Sequence, residues 1–221
     1  MLTRFAWLVA FLLAMPALQV HAAGSGGGYS DIGTAPEARS PAQQARTHYK
    51  AGLNHKKKAW KLEEKAAKAK DEKGKAKHLA NAQKEYARAI ERYRKAIQAD
   101  NTHFEAMNEL GYAFRKSGDF ENAIRAYNTA LFVKPDFPEA IEYRGEAFLA
   151  LGLFDQTKEA YLALFRDAPE QAALLMQAME TWVTEQGTAS ADAAAFAAWV
   201  AERKALAGQT QTLSMNNLRR W

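Results

Sequence analysis

The sequence predicts an all-α chain of stacked helical hairpins, and three observations carry that prediction. First, the chain matches itself at a spacing of 34 residues. Ala89, Ala123 and Thr157 form one column, Tyr93, Tyr127 and Tyr161 a second, and Ala96, Ala130 and Leu164 a third. Gly111 and Gly145, Phe114 and Phe148, Gly118 and Gly152, Phe120 and Phe154, and Pro135 and Pro169 keep the same register. Second, Met107, Leu110, Gly111 and Phe114 fall at i, i+3, i+4 and i+7, one face of a helix. Phe120, Ala123, Ile124, Tyr127, Ala130 and Leu131 form another such face. Third, Lys116-Ser117-Gly118-Asp119 reads as a turn with a glycine C-cap, and Lys134-Pro135-Asp136 stops the next helix because proline lacks the N–H. A period of this length marks one supersecondary unit that buries its apolar face only by stacking on its neighbours.

Before the repeats, residues 1–22 read as a signal peptide. Arg4 supplies the positive charge, and Phe5 to Leu18 is almost wholly apolar, broken by Pro16. Val20-His21-Ala22 places small residues where a signal peptidase cuts. The run is shorter than the roughly 20 residues a spanning helix needs; an uncleaved anchor or a buried helix is the competing reading. Cleavage after Ala22, or else after Ala23, is expected, leaving no transmembrane anchor and placing the protein in the periplasm in the simplest case. Residues 23–40 are rich in Gly, Ser and Pro and read as a flexible leader.

Residues 41–103 read as a long basic helical hairpin ending in half a repeat. Ser40-Pro41 starts its first helix, and Asp71-Glu72-Lys73-Gly74 breaks the chain. A second helix follows from about Lys75 to Gln98, with Leu79, Ala82, Tyr86, Tyr93 and Ala96 in a near-heptad seam. Two repeats follow, 104–137 and 138–171. Residues 172–207 read as a degenerate repeat and a capping helix, with Leu175, Ala178, Met179 and Trp182 as inner positions, Ser190 as N-cap, and Phe196 and Trp199 on the cap. Residues 208–221 read as a loose tail.

The repeat resembles the tetratricopeptide repeat (TPR) family, whose pattern is W-x2-L-G-x2-Y…A-x3-F…P. The best copy is Met107-x2-Leu110-Gly111-x2-Phe114…Ala123-x3-Tyr127…Pro135. The next is Ile141-x2-Arg144-Gly145-x2-Phe148…Thr157-x3-Tyr161…Pro169, which departs at Arg144 and Thr157 and so suggests looser packing of its second helix. The resemblance implies a TPR-type solenoid whose first helices line a concave face that binds a protein or peptide segment. The inward candidates it implies are Glu105, Asn108, Tyr112, Arg115 and Lys116, then Glu139, Glu142 and Glu146. This groove is mixed in its first repeat and acidic in its second, and lacks the family's Lys- and Asn-rich clamp for C-terminal carboxylates.

Composition narrows the chemistry. The chain has 221 residues, no Cys and a formal charge of +5, which excludes disulfides, thiolate metal sites and a Cys nucleophile. Residues 46–100 carry 17 basic and 7 acidic groups; residues 101–221 carry 11 and 16. The lysines from Lys56 to Lys77 read as a solvated helix face, or as a contact for an anionic envelope surface. His48 and His55 are seven apart without a carboxylate at a motif spacing, and no G-x-S-x-G elbow or phosphate loop is present. A non-catalytic scaffold without cofactor or metal is expected. Its partner is a protein or peptide rather than nucleic acid, and a second copy's Lys56–Lys77 helix is one candidate. An envelope enzyme or enzyme subunit is the alternative.

Overall fold

The computed structural model describes residues 39–186 and 190–218, with side chains through residue 207. The expected signal peptide and all of the leader but residues 39 and 40 lie outside the described residues. The described residues form eight helices in order: α1 (Pro41–Ala67), α2 (Glu72–Ala99), α3 (Phe104–Lys116), α4 (Phe120–Val133), α5 (Pro138–Ala150), α6 (Phe154–Asp167), α7 (Pro169–Gln186) and α8 (Ala191–Leu218). Among the described residues there is no strand.

Local chemistry sets the helix ends. Ser40 and Gln43 form a reciprocal capping box ahead of α1, and Pro41 occupies the first turn, where its missing N–H costs nothing. Asp71 caps α2 by accepting from the Gly74 N–H at 2.7 Å. The break therefore falls at residues 68–71, and α2 starts at Glu72, ahead of the expected Lys75, because an Asx cap outweighs one glycine inside the first turn. Gly118 (φ 81°) and Gly152 (φ 70°) end α3 and α5 in the left-handed region. The Asp119 N–H returns to the Phe114 carbonyl and the Gly118 N–H to that of Arg115, both at 3.0 Å, closing a Schellman motif. Ser190 accepts from the Ala193 N–H at 3.1 Å and starts α8.

The core consists of interhelical joints built from one glycine and one large side chain. A Cβ at Gly111 would lie 2.5 Å from the Tyr127 ring, and one at Gly52 would lie 2.4 Å from the Tyr93 ring. Tyr93 and Tyr127 are 0% exposed and stand 34 residues apart; their glycines stand 59 apart. The α1–α2 hairpin is thus a repeat of the same design with 25 more residues between its glycine and its tyrosine, spread over both helices and the turn.

The second repeat departs from this design. Gly145 faces Leu175 of α7, at 2.7 Å from an added Cβ, instead of Tyr161. Thr157 does not loosen the contact as the sequence suggested: it is 0% exposed, and its hydroxyl donates to the Leu153 carbonyl at 3.0 Å. Arg144 donates to Asn128 at 2.7 Å.

Two other expectations are corrected. Pro135 and Pro169 share a column but differ in role. Pro135 lies in the loop before α5, whereas Pro169 is the first residue of α7, one residue past α6. After Pro135 a second proline, Pro138, resets the helix start; after Pro169, Glu170 and Gln171 propagate it. The segment expected as a loose tail at 208–221 is helical as far as Leu218. Its residues 209–218 contain no Pro or Gly, so nothing in them stops a helix already under way.

Candidate functional site: a groove lined by α3, α5 and α7

The odd-numbered helices share one face, and its chemistry changes along the stack. Where α1 meets α3, the charges are met in pairs. Lys56 Nζ lies 2.6 Å from the Glu109 carboxylate, and Lys116 Nζ lies 3.0 Å from Glu63. Between these pairs the Trp60 indole N–H donates to the Tyr112 hydroxyl at 2.8 Å. The Lys56 ammonium stands over both rings, 4.8 Å from that of Trp60 and 5.1 Å from that of Tyr112. Lys56 and Glu109 are each largely buried, so the pair is shielded from solvent.

From α3 to α5 the contacts become aromatic and cationic. Tyr112 and Tyr143 meet edge to face, 5.5 Å between centroids. The Arg115 guanidinium lies over both rings, at 5.3 and 5.2 Å, and donates a hydrogen bond to Glu146. Arg115 is thereby committed to Glu146, which leaves Glu142 hydrogen-bonded to a carboxylate rather than to a cation. Glu142 is only 3% exposed. Burial, with the hydrogen bond and negative charge of Glu146 behind it, pushes the Glu142 carboxyl up to about 8, against the pull of Arg115.

From α5 to α7 the face opens into a cleft of ≈ 470 Å³. Arg115, Glu142 and Glu146 form one wall; Leu174, Gln177 and Thr181 of α7 form the other, with Trp182 and Glu185 farther along. Leu174 is 51% exposed, a large apolar side chain at the mouth of a polar cleft. Apolar walls with a few convergent polar groups are the usual makeup of a ligand pocket.

Three of the eight residues expected from the sequence, Arg115, Glu142 and Glu146, line this cleft, and Tyr112 abuts them. Lys116 is tied to Glu63 on the α1 side. Asn108 is buried, at 4% exposure. Glu105 pairs with His103 at 3.0 Å and lines a separate cleft with Arg46, Asp100 and Thr102. Glu139 is half-buried near the start of α5 and does not line the cleft. The acidic second repeat is therefore not a solvated row of three carboxylates: it is a buried acid, an acid paired with Arg115, and a third outside the cleft lining whose charge still reaches Glu142.

Of the α7 wall, Ala178 and Trp182 were expected as inner positions, whereas Leu174, Gln177, Thr181 and Glu185 were missed. The 34-residue period would start this helix at residue 172, but the single residue Ala168 links α6 to α7, and the helix begins three residues earlier. With that one-residue connection, Leu174, Gln177, Thr181 and Glu185 of α7 line the cleft. Exposed Leu174 and Thr181 beside buried Leu175 and Met179 were the only signal of that wall. Elsewhere, His55 Nδ1 lies 2.7 Å from Glu85 across the α1–α2 hairpin. Among the described residues no group of three or more His, Cys, Asp or Glu could hold a metal ion, and no helix is long and apolar enough to cross a membrane.

Residues 111–152 match the family model for the TPR repeat. No curated protein matches the chain. Among solved structures, the first TPR of Spaghetti (RPAP3) bound to the HSP90 peptide SRMEEVD is similar at 23% identity and a TM-score of 0.41, covering 57% of this chain and 94% of that one. The Sgt2 TPR domain from Aspergillus fumigatus is similar at 18% identity and a TM-score of 0.43, covering 79% and 88%. The second TPR domain of human RPAP3, in complex with the HSP70 peptide SGPTIEEVD, is similar at 18% and 0.37, covering 71% and 97%. The chain is an all-α stack of helical hairpins in which residues 111–152 carry the match to the TPR repeat.

Proposed function

We propose that the protein is a non-catalytic interaction scaffold that binds a peptide or protein segment in the α3/α5/α7 groove. The observation that carries this reading is the contrast along one face. Charges between α1 and α3 are met within the chain, while the cleft beyond them is open and keeps Leu174 at its mouth. Its lining joins Leu174 and Trp182 to a few polar side chains, the usual makeup of a cleft that binds a ligand. A photo-crosslinking residue at Gln177 should capture a partner in cells, and the same residue at Arg125 of α4 should not. Equal capture at both positions, or capture only at Arg125, would refute the groove.

The site of action belongs to the same proposal. The n-region, the short apolar run and Val20-His21-Ala22 support export to the cell envelope. Protein recovered from an envelope fraction should begin at Ala23 or Gly24. Recovery with Met1 intact would show that the segment is not cleaved.

A further inference from the structure

We infer that the groove seats a cationic side chain, lysine or arginine, of an extended partner segment, with its charge against Glu142. This rests on the groove reading and names what the groove selects. Acids outnumber cations around the cleft. Glu142, Glu146 and Glu185 line it, and Arg115 is the one cation that does, among the described residues. Arg115 already pairs with Glu146 while lying over Tyr112 and Tyr143. Glu142 is then a carboxyl at 3% exposure in a cleft wall, beside one carboxylate and near another, Glu139.

A buried acid in that position stays neutral by holding a proton, because ionising it beside Glu146 costs both desolvation and repulsion. An ammonium or guanidinium entering the cleft removes both costs, since it supplies the counter-charge and the hydrogen bonds. The proton leaves Glu142 as the cation arrives. An anionic or carboxylate-terminated segment would meet the Glu146 and Glu185 carboxylates and could not draw the proton from Glu142, and like charges across an interface disfavour it. The stem of the same side chain, or its apolar neighbour, has Leu174 to pack against.

The test is selection from a random library of 12-residue phage-displayed peptides on the purified protein at pH 8.5. Binding of the selected peptides is then measured by calorimetry. Peptides whose binding is blocked by Thr181→Arg should share a Lys or Arg at one position. Their affinity should rise by about tenfold per pH unit between pH 6 and 7.5, as one proton is released, and level off above pH 8. Glu142→Gln, which keeps the shape, should flatten that pH profile and weaken binding by about tenfold at pH 8.5; Glu185→Gln should leave the profile intact. Groove-binding peptides without a basic residue, or with a flat profile in the parent protein, would overturn this inference and leave the groove reading standing. A library that yields no peptide blocked by Thr181→Arg would overturn both. Salt-sensitive self-association abolished by Glu142→Gln would overturn the choice of a partner protein and name a second copy's lysine hairpin as the occupant.

Discussion

The two ends of the odd-helix face use similar residues to opposite effect. Between α1 and α3, two lysines meet two glutamates and an indole meets a phenol, so the charges there are met within the chain, although Trp60 itself is 45% exposed. Between α5 and α7 the acids outnumber the cations, one glutamate is buried next to another, and a leucine stands open at the mouth. Pairs within the chain leave little for a ligand to gain; an acid without a cation leaves a specific gain. The difference also marks where the repeat is regular. The closed end is built on the glycine–tyrosine joints of Gly52 with Tyr93 and Gly111 with Tyr127. At the open end Leu175 replaces the ring against Gly145, and α7 sits in a shifted register.

The largest expected effects lie in these joints. Tyr127→Ala should cost about 2–5 kcal/mol of unfolding free energy, as large-to-small core changes do. Leu175→Ala should fall in the same range if α7 has taken over the ring's place, and denaturant titration measures both. Gly111→Leu should cost at least roughly 1–3 kcal/mol, because its Cβ alone enters the Tyr127 ring. Parent-like melting of these variants would break the packing account.

A smaller effect separates the two ends directly. Glu109→Gln strips the charge that answers Lys56 in a shielded site and should cost about 1–3 kcal/mol. Glu142→Gln removes a charge that has no cation of its own, and at pH 8.5 it should leave stability unchanged or raise it. If both substitutions destabilise equally, the contrast between the closed and open ends fails.

The pH dependence sharpens the same point. Glu142 is raised in the folded protein from 4.5 to about 8, so between those values the folded chain binds more protons than the unfolded one. Its contribution to stability is therefore full below about pH 4.5 and is lost as pH rises toward 8. Thermal melts from pH 5 to 8.5 should show a decline that Glu142→Gln reduces. The smallest effect is expected at the rim, where exposed Glu185→Gln should shift stability by less than about 0.5 kcal/mol.

The sequence made the framework legible because its joints repeat. Gly111, Ala123 and Tyr127 are spaced by the geometry of two helices in close contact, and any chain that repeats them reports that contact. The site was legible only in part. Arg115, Glu142 and Glu146 follow from the period, but burial does not: nothing in the pattern says that Arg115 turns to Glu146 and strands Glu142. Glu105 and Asn108 sit at groove-like positions by register, yet His103 takes one and the core takes the other. Gly52 reports no such contact in the sequence, because the 25 added residues hide its match to Gly111. Leu174, Gln177 and Thr181 escaped because a one-residue connection moved the helix that carries them.

The most direct measurement follows the tryptophan indole N–H signals during titration with a peptide selected on the groove. Trp182 lies at the open end; Trp60 is held by Tyr112 at the closed end and serves as the internal reference. The account predicts that the Trp182 signal moves in proportion to binding, together with the methyl signals of Leu174 and Thr181, while the Trp60 signal stays in place. A peptide that moves Trp60 and leaves Trp182 unchanged would contradict the central claim, because the closed end would then be the surface that binds.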